Sequence, residues 1–492
     1  MIDFSAFFKQ FLYDENAPLL FSNGFFLYLF AAFISVYYFV RNNYKLRTWI
    51  FCLFSIYFFY KASGLFVLLV IISAIVDFFI GNLIFEVPSK RSKKILLWVG
   101  LSFNVGLLIY FKYFNFLINT YHQISNHNVD PLKITSLIGI SFYTFESISY
   151  MVDVYHKKIL PARRFADYLL FLSFFPKLVM GPIVRASDFL PQISKKYFVS
   201  DDDFSKGFFL IITGLFSKLI ISDYISANFV NYVFDDPSKY TGLECLVAAY
   251  GFAIVIYCDF SGYTNIAIGL AKWLGFSIPD NFNLPYRSGN ITEFWKRWHI
   301  SLSSWLKDYI YIPLGGNRKG RLRKYLNLII TMFIGGLWHG ANYTYIIWGL
   351  MHGVALALHK LWTEKSKTVL YSFRKKVIYK MITAFITFQF VCISWIFFRS
   401  ENLQVAKAMF VQMKRQFGLD KFSEFWANYH TVVWMILLGF VLHFIPQKIS
   451  NYFVNKLKQE GTLGYLFVFL LFIFIYGYFK SAEQILPIYL QF

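Results

Sequence analysis

Charged residues are scarce in this sequence. Asp, Glu, Lys and Arg together make up 15% of the 492 residues, whereas 57% are hydrophobic. A soluble domain carries about 25% charged residues and roughly 45–50% apolar ones. The shortage of charge excludes an ordinary soluble protein. The long apolar runs along the chain instead indicate a protein that crosses a membrane many times.

Cysteine is also rare, and its positions exclude a disulfide framework. Each of the four cysteines is isolated within an apolar run, and no CxxC pair is present. These cysteines are Cys52, Cys245, Cys258 and Cys392. We interpret them as small core residues.

Several motifs of soluble enzymes are missing. There is no GxSxG elbow, Walker loop or Rossmann fingerprint. The sequence therefore does not indicate a soluble hydrolase or a protein driven by nucleotide hydrolysis. His339, His352 and His359 share one apolar region, but their spacing fits no zinc motif, so we predict no metal site. No basic segment precedes the first apolar run, so a cleavable signal peptide is not expected.

The apolar runs predict an all-α polytopic membrane protein. About a dozen runs approach the length of a spanning helix, and they form one membrane domain over residues 1–492. Some runs are too short to cross alone and are predicted to be re-entrant or buried half-helices. These short runs are Trp49–Tyr60, Phe165–Met180 and Tyr325–Trp338.

The net charge of +21 is spread over short loops between apolar runs. Basic loops such as Lys90–Lys94 and Arg318–Lys324 should face the cytoplasm, and the loop Asp235–Gly242, which holds only one Lys, should face outward. This topology places both termini outside the cytoplasm. Because no separate basic domain exists, nucleic acid is not a predicted partner. Residues 400–430 are interpreted as an amphipathic surface helix on a loop.

His339 lies in GGLWHGANYTYIIWGLMHG (Gly335–Gly353), a stretch that should lie within the membrane. A titratable side chain at membrane depth is costly and often functional. A buried imidazole should be neutral at pH 7, and a neutral imidazole can take a proton from a hydroxyl. The structural alternative is a core histidine that bonds across helices.

His299 lies in FWKRWHISLSSWLKDYIYIPLGGNRKG (Phe294–Gly320), which is too polar to span lipid. Its tryptophans and basic residues are typical of a helix at the cytoplasmic boundary. The structural alternative is an interfacial anchor whose histidine faces solvent.

Other polar residues lie within apolar surroundings. A buried acid usually pairs with a basic residue and joins helices, which is the structural interpretation of Glu146 and Asp259. The functional interpretation is a substrate tunnel. Its candidate lining residues are Asp259, Ser261, Trp338 and Asn342.

Four stretches together resemble the membrane-bound O-acyltransferase (MBOAT) family, particularly the membrane subunits of alginate and peptidoglycan O-acetyltransferases. They are GPIVR (Gly181–Arg185), YCDFSGYTNIAIG (Tyr257–Gly269) and the two histidine stretches. The core motifs lie within about residues 139–399. The resemblance implies a ring of about 11–13 transmembrane and re-entrant helices with a thin centre.

The resemblance also implies the chemistry. His339 and His299 match the two family histidines and are the predicted catalytic residues. Acetyl-CoA in the cytoplasm is the predicted donor, with no permanently bound cofactor. A separate periplasmic partner of the SGNH-hydrolase type would complete transfer to a polysaccharide. The residues predicted to meet the donor phosphates are Arg287, Lys296, Arg297, Lys307, Arg318 and Lys319.

Two other functions remain open at the level of sequence. A D-alanyl transferase for teichoic acid would use the same chemistry with a carrier-protein thioester as donor. A polyanion transporter or flippase is the alternative of another class, but the repeat symmetry expected of many transporters is not visible. The resemblance favours a bacterial cytoplasmic membrane as the location.

Overall fold

The computed structural model describes residues 9–125, 130–132, 139–365, 376–480 and 485–490. Throughout these residues the secondary structure is helical, with connecting turns and no strand. Seven helical segments are long and apolar enough to cross a membrane: Tyr44–Glu86, Lys90–Ser125, Asp201–Asp235, Gly242–Trp273, Val377–Arg399, Leu419–His443 and Gln447–Phe479. The predicted fold class, an all-α polytopic membrane protein, is therefore confirmed.

The chain divides into two compact units. The first consists of Met1–Gly207 with Ile266–Pro279, and the second of Phe208–Asn265 with Asp280–Phe492. The single membrane domain that the sequence indicates stays a prediction.

The first unit is built from short and long helices in chain order. They are α1 (Gly24–Val40), α2 (Tyr44–Ser63), α3 (Val67–Glu86), α4 (Lys90–Leu108), α5 (Phe114–Ser125), α6 (Ile140–Tyr155), α7 (Phe165–Ser173), α8 (Phe175–Leu178) and α9 (Ala186–Ile193). The next helix, α10 (Asp201–Leu215), contributes residues to both units.

Buried ionisable side chains join the helices of the first unit. Glu146 of α6 pairs with Lys177 of α8 and accepts a hydrogen bond from the backbone amide of Val184 (3.0 Å). Asp77 accepts hydrogen bonds from Asn104 (2.7 Å) and Tyr168 (3.0 Å). Charged groups at membrane depth are tolerated when they are paired in this way. The interpretation of Glu146 as a link between helices is confirmed.

The second unit contains the two histidine stretches. Its helices are α11 (Asp223–Ile225), α12 (Asn231–Asp235), α13 (Gly242–Trp273), α14 (Ile291–Arg297), α15 (Ile300–Leu306), α16 (Arg321–His339), α17 (Tyr343–Lys365), α18 (Val377–Arg399), α19 (Leu403–Arg415), α20 (Phe422–His443) and α21 (Gln447–Phe479). Helix α13 also contributes its last residues to the first unit. A 3₁₀ turn, Ile488–Leu490, follows near the end of the described residues.

The short apolar runs have different structures. Phe165–Met180 is broken into α7 and α8 at Phe174, next to Pro176, as a buried half-helix would be. Trp49–Tyr60 instead lies inside the 20-residue helix α2, so its assignment as a half-helix is wrong. Tyr325–Trp338 lies inside the 19-residue helix α16. The first turn of this helix is polar, so the apolar run is shorter than the helix itself.

The segment interpreted as a surface helix divides into two parts. Helix α19 buries one face, formed by Ala406, Met409 and Gln412, and exposes the other. Residues from Leu419 onward belong to the candidate span Leu419–His443. The amphipathic helix is therefore limited to Leu403–Arg415.

Two glycines set the distance between α16 and α17. A Cβ atom added to Gly336 would lie 2.4 Å from the carbonyl oxygen of Tyr345, and one added to Gly349 would lie 2.4 Å from that of Met332. Only glycine permits backbones to approach this closely. The close contact lies three residues before His339, the last residue of α16.

Candidate active site

His339 is the last residue of α16 and is only 3% exposed. Its ring is enclosed by aromatic side chains from several elements. The ring centroids of Trp348 and Phe398 each lie 5.0 Å from it, and that of Tyr489 lies 5.4 Å away. The chain thus places an imidazole in a buried, aromatic compartment.

His299 lies between α14 and α15 and is fully buried. Its Nδ1 atom lies 3.2 Å from the Oδ1 atom of Asn281. The Ser301 amide donates to the same Oδ1 atom (3.1 Å), so that atom must be the amide oxygen. His299 Nδ1 therefore carries the proton, and Nε2 carries the lone pair.

Burial also determines the charge of His299. Because the charged form would lose its hydration, burial lowers the pKa of this histidine to about 3. Its Nε2 atom has no hydrogen-bond partner among the described residues. The alternative of a solvent-facing anchor is therefore wrong: His299 is a neutral, buried imidazole with an available lone pair.

Two aromatic rings contact both histidines. Trp338 lies 4.9 Å from His339 and 5.8 Å from His299, measured between ring centroids. Tyr489 lies 5.4 Å and 6.3 Å from the same two rings. The histidines, 40 positions apart in the sequence, therefore border one aromatic cluster made of His299, Trp338, His339 and Tyr489.

His352 lies near this cluster but has a structural role. Its Nδ1 atom accepts a hydrogen bond from the indole N–H of Trp295 (3.2 Å). Its Nε2 atom lies 3.0 Å from Ser394 Oγ, whose own proton is donated to the carbonyl of Val391 (2.7 Å). His352 Nε2 is therefore the donor to Ser394. With both nitrogens occupied, His352 joins α14, α17 and α18.

The four candidate tunnel residues are in different surroundings. Trp338 is in the aromatic cluster. Asp259 is fully buried and pairs with Lys218 (2.7 Å), and Ser261 is buried on the same helix, α13. Asn342 caps the start of α17 by accepting from Thr344 N (3.0 Å) and donates to the Glu401 carbonyl (2.6 Å).

A cavity of about 970 Å³ lies in the second unit and contains two of the six predicted donor-binding residues. Arg287 and Arg297 line it. Glu293 holds the Arg297 guanidinium at 2.9 Å, whereas no carboxylate of the described residues lies within ion-pair distance of Arg287. Other lining residues are Asn283, Gly289, His359, Trp362, Lys380 and Thr383. The volume suits a ligand of nucleotide size.

The other four predicted donor-binding residues do not line this cavity. Lys296 and Lys307 are exposed on α14 and directly after α15, and Arg318 and Lys319 are exposed in the loop before α16. Their charges are exposed at the surface, outside this cavity. The cavity is instead lined by Lys380 and His359, which were not predicted from the sequence.

Comparison with known proteins identifies the family. The sequence profile of the membrane-bound O-acyltransferase family matches residues 158–400. A peptidoglycan O-acetyltransferase of Helicobacter pylori is 33% identical over 436 residues, covering 82% of this chain and 81% of the relative. A probable alginate O-acetylase of Pseudomonas aeruginosa is 38% identical over 414 residues, covering 82% and 76%.

This chain belongs to the membrane-bound O-acyltransferase family. It is an O-acyltransferase and a multi-pass membrane protein, as the sequence resemblance implies. Both histidine stretches lie within the matched residues. A teichoic acid D-alanyltransferase of Bacillus subtilis is also similar, at 32% identity over 284 residues, but covers only 54% of this O-acyltransferase.

Some residues around the histidines of the O-acyltransferase were missed by sequence reasoning. Asn281, Trp348 and Phe398 are ordinary core residues in the sequence and become notable only through their contacts with a histidine. Tyr489 lies in a short apolar segment, 485–490, that carries no recognisable motif. Its contribution depends on long-range packing, which no local pattern indicates.

Proposed function

We propose that this chain is the membrane subunit of an O-acetyltransferase that moves acetyl groups from cytoplasmic acetyl-CoA to an extracytoplasmic polysaccharide. Alginate-like exopolysaccharide and peptidoglycan are the acceptor classes. A separate periplasmic partner of the SGNH-hydrolase type completes the transfer. The names of the relatives from Helicobacter pylori and Pseudomonas aeruginosa, which each match 82% of the chain, support acetyl as the acyl group.

The observation that carries the proposal is the enclosure of His339. A neutral imidazole in a buried aromatic compartment is suited to act as a general base on a hydroxyl. In the proposed step the acceptor oxygen attacks the thioester carbonyl while His339 takes its proton. The C–S bond breaks, the ester forms, and the proton passes from His339 to the departing thiolate. A thioester is already activated, so the step needs no ATP.

The cavity lined by Arg287, Arg297 and Lys380 is proposed to hold the CoA portion of the donor. Cationic side chains bind phosphates through charge-assisted hydrogen bonds. Arg287 and Lys380 are suited to this role because no carboxylate of the described residues lies within ion-pair distance of either. Trp362 and His359 add flat rings to the wall of the same cavity.

Replacement of His339 tests the proposal. His339→Ala should reduce acetyl transfer by at least about 100-fold, since general-base catalysis contributes that much or more. Incorporation of radiolabelled acetyl into cell-surface glycan measures the effect in cells that carry each variant.

His430→Ala is the matched control because His430 is exposed and hydrogen-bonds only to the carbonyl of its own helix at Trp426. This variant should retain wild-type transfer, and both variants should reach the membrane in equal amounts. Full glycan acetylation by His339→Ala would rule out the role of His339 as base.

A D-alanyl transferase is the second candidate, favoured by the similarity to the Bacillus subtilis enzyme over about half of this chain. The two functions differ in the donor. Purified chain in lipid vesicles should release free CoA from acetyl-CoA in the presence of an acceptor. Release only from a D-alanyl carrier protein would favour the second function.

A further inference from the structure

Three charged side chains form a buried cluster in the second unit, separate from the aromatic cluster. The ammonium of Lys218 lies 2.6 Å from Asp223 Oδ1, 2.7 Å from Asp259 Oδ1 and 3.3 Å from the carbonyl oxygen of Ile485. The contacts to Asp223 and Ile485 are hydrogen bonds, and the contact to Asp259 is an ion pair. All three side chains are less than a tenth exposed.

The cluster also contacts a second backbone group of the segment 485–490, to which Ile485 belongs. Asp259 uses its other oxygen, Oδ2, to accept a hydrogen bond from the backbone amide of Ile488 (2.8 Å). The segment 485–490 is therefore bound at two backbone groups, the carbonyl of Ile485 and the amide of Ile488. Contacts to backbone determine the position of the segment regardless of which side chains it carries.

The residue after Ile488 is Tyr489, which contacts both histidines of the aromatic cluster. Its ring also lies 4.4 Å from that of Phe260, the neighbour of Asp259 on α13. One residue of backbone thus separates the anchored amide from the ring that packs against His339. A shift of the amide would move that ring, and the imidazole would lose one of its walls.

We propose that Asp259 and Lys218 are positioning residues for acyl transfer. They act through the backbone of Ile485 and Ile488, which places the Tyr489 ring against His339 and keeps the imidazole oriented for reaction. This inference rests on the proposed function, in that His339 must be the base. An ion pair that only joined helices would explain Asp259 Oδ1, but it would not explain Oδ2 on the segment 485–490.

Asp259→Asn tests whether Asp259 anchors the segment 485–490. The substitution creates no unpaired buried charge, because Lys218 and Asp223 remain as a neutral pair. The amide of Asn can accept from only one of the two donors and directs its own N–H groups at the other. We expect kcat to fall by at least about tenfold, while KM for acetyl-CoA changes less than about twofold. Asp236→Asn, which removes a partly exposed carboxylate of the same unit, should leave both constants unchanged.

A double-mutant cycle with Tyr489→Ala separates positioning from a general loss of stability. If Asp259 acts through Tyr489, the double variant should be no more than about twofold slower than the slower single variant. Rate losses that multiply would contradict the proposal. Wild-type kcat in either single variant would contradict it as well.

Thiol labelling tests whether Asp259 holds the segment 485–490 in place, and this measurement does not depend on the acyl donor. Ile488 is buried, so Ile488→Cys should react slowly with N-ethylmaleimide, and the wild-type chain gives the background. Adding Asp259→Asn should raise the rate at least about tenfold, because opening of the segment exposes the thiol. Adding Asp236→Asn should not change it.

If adding Asp259→Asn leaves the labelling rate of Ile488→Cys unchanged, Asp259 does not anchor the segment, even if acetyl transfer is confirmed. If the labelling rate rises but the wild-type chain transfers no acetyl group, only the proposed function is contradicted. The two failures are therefore distinguishable.

Discussion

His299 combines an unusual backbone conformation with an unusual side-chain environment. Its φ angle is 44°, in the left-handed region that residues with a Cβ rarely occupy. Such strain persists only where the surroundings enforce it. Asn281 supplies that restraint, since its Oδ1 atom accepts from His299 Nδ1, Ser301 N and Ser301 Oγ (3.2, 3.1 and 2.9 Å).

The low pKa of His299 makes stability depend on pH. The folded-state pKa of about 3 lies below the unfolded value of about 6.5, so the folded protein binds fewer protons. The contribution of His299 is fully present above pH 6.5. It is lost progressively as pH falls from 6.5 toward 3, by up to about 1.4 kcal/mol per pH unit.

We therefore expect the unfolding temperature in detergent to fall between pH 6.5 and pH 5. His299→Gln keeps a hydrogen-bonding side chain that does not titrate, so this variant should show a smaller fall over the same interval. Equal falls in the two proteins would show that His299 does not titrate in this way.

At the scale of elements, the crossing of α16 and α17 is the contact on which the position of His339 depends. The two backbones meet at Gly336 and Gly349. A Cβ atom added to either glycine would lie 3.1 Å from the Cα atom of the other glycine. A methyl group there would meet backbone atoms, which cannot rotate away. The end of α16 would move with the crossing.

Gly336→Ala should therefore lower the free energy of unfolding by about 1–3 kcal/mol, the usual cost of overpacking. Acetyl transfer should fall in the same variant, because His339 is displaced. Thermal unfolding in detergent and the glycan-labelling assay measure the two effects.

The neighbouring Gly335→Ala is the control for this prediction. A Cβ on Gly335 would meet only a methyl group of Leu306, which is the end of a flexible side chain, at 3.1 Å. This substitution should be tolerated in both assays. Equal damage from the two substitutions would exclude the backbone crossing as the cause.

For the whole molecule, the distribution of basic loops predicts which surfaces face the cytoplasm. Lys94, near the start of α4, and Lys239, in the connection before α13, are exposed lysines with opposite predicted sides. All four native cysteines are buried, so a membrane-impermeant maleimide should report only introduced thiols.

We expect Lys239→Cys to react in intact cells, whereas Lys94→Cys should react only after the membrane is permeabilised. Wild-type chain provides the background in both conditions. The opposite pattern would invert the topology and with it the predicted side of the donor.

Much of the fold and part of the site could be predicted from sequence. Hydropathy identified the all-α membrane fold class, since burial in lipid requires long apolar helices whatever their partners. His339 was recognisable because a polar ring stands out in an apolar run. Sequence did not show that Lys296 and Arg318 lie outside the cavity, because a basic residue has the same pattern whether it borders a cavity or open solvent. Their role in donor binding stays a prediction. Asn281 and Tyr489 were missed, because their role exists only after distant segments meet.

The backbone crossing of α16 and α17 has a consequence for substrate range. The close approach of Gly336 and Gly349 places the backbone at the end of α16, whereas the volume beside the His339 ring is bounded by the side chains of Trp348 and Phe398. Under the proposed function, trimming Phe398 should enlarge the space for a propionyl or butyryl group while the backbone crossing is kept, so acyl-chain length could change without a change in the crossing.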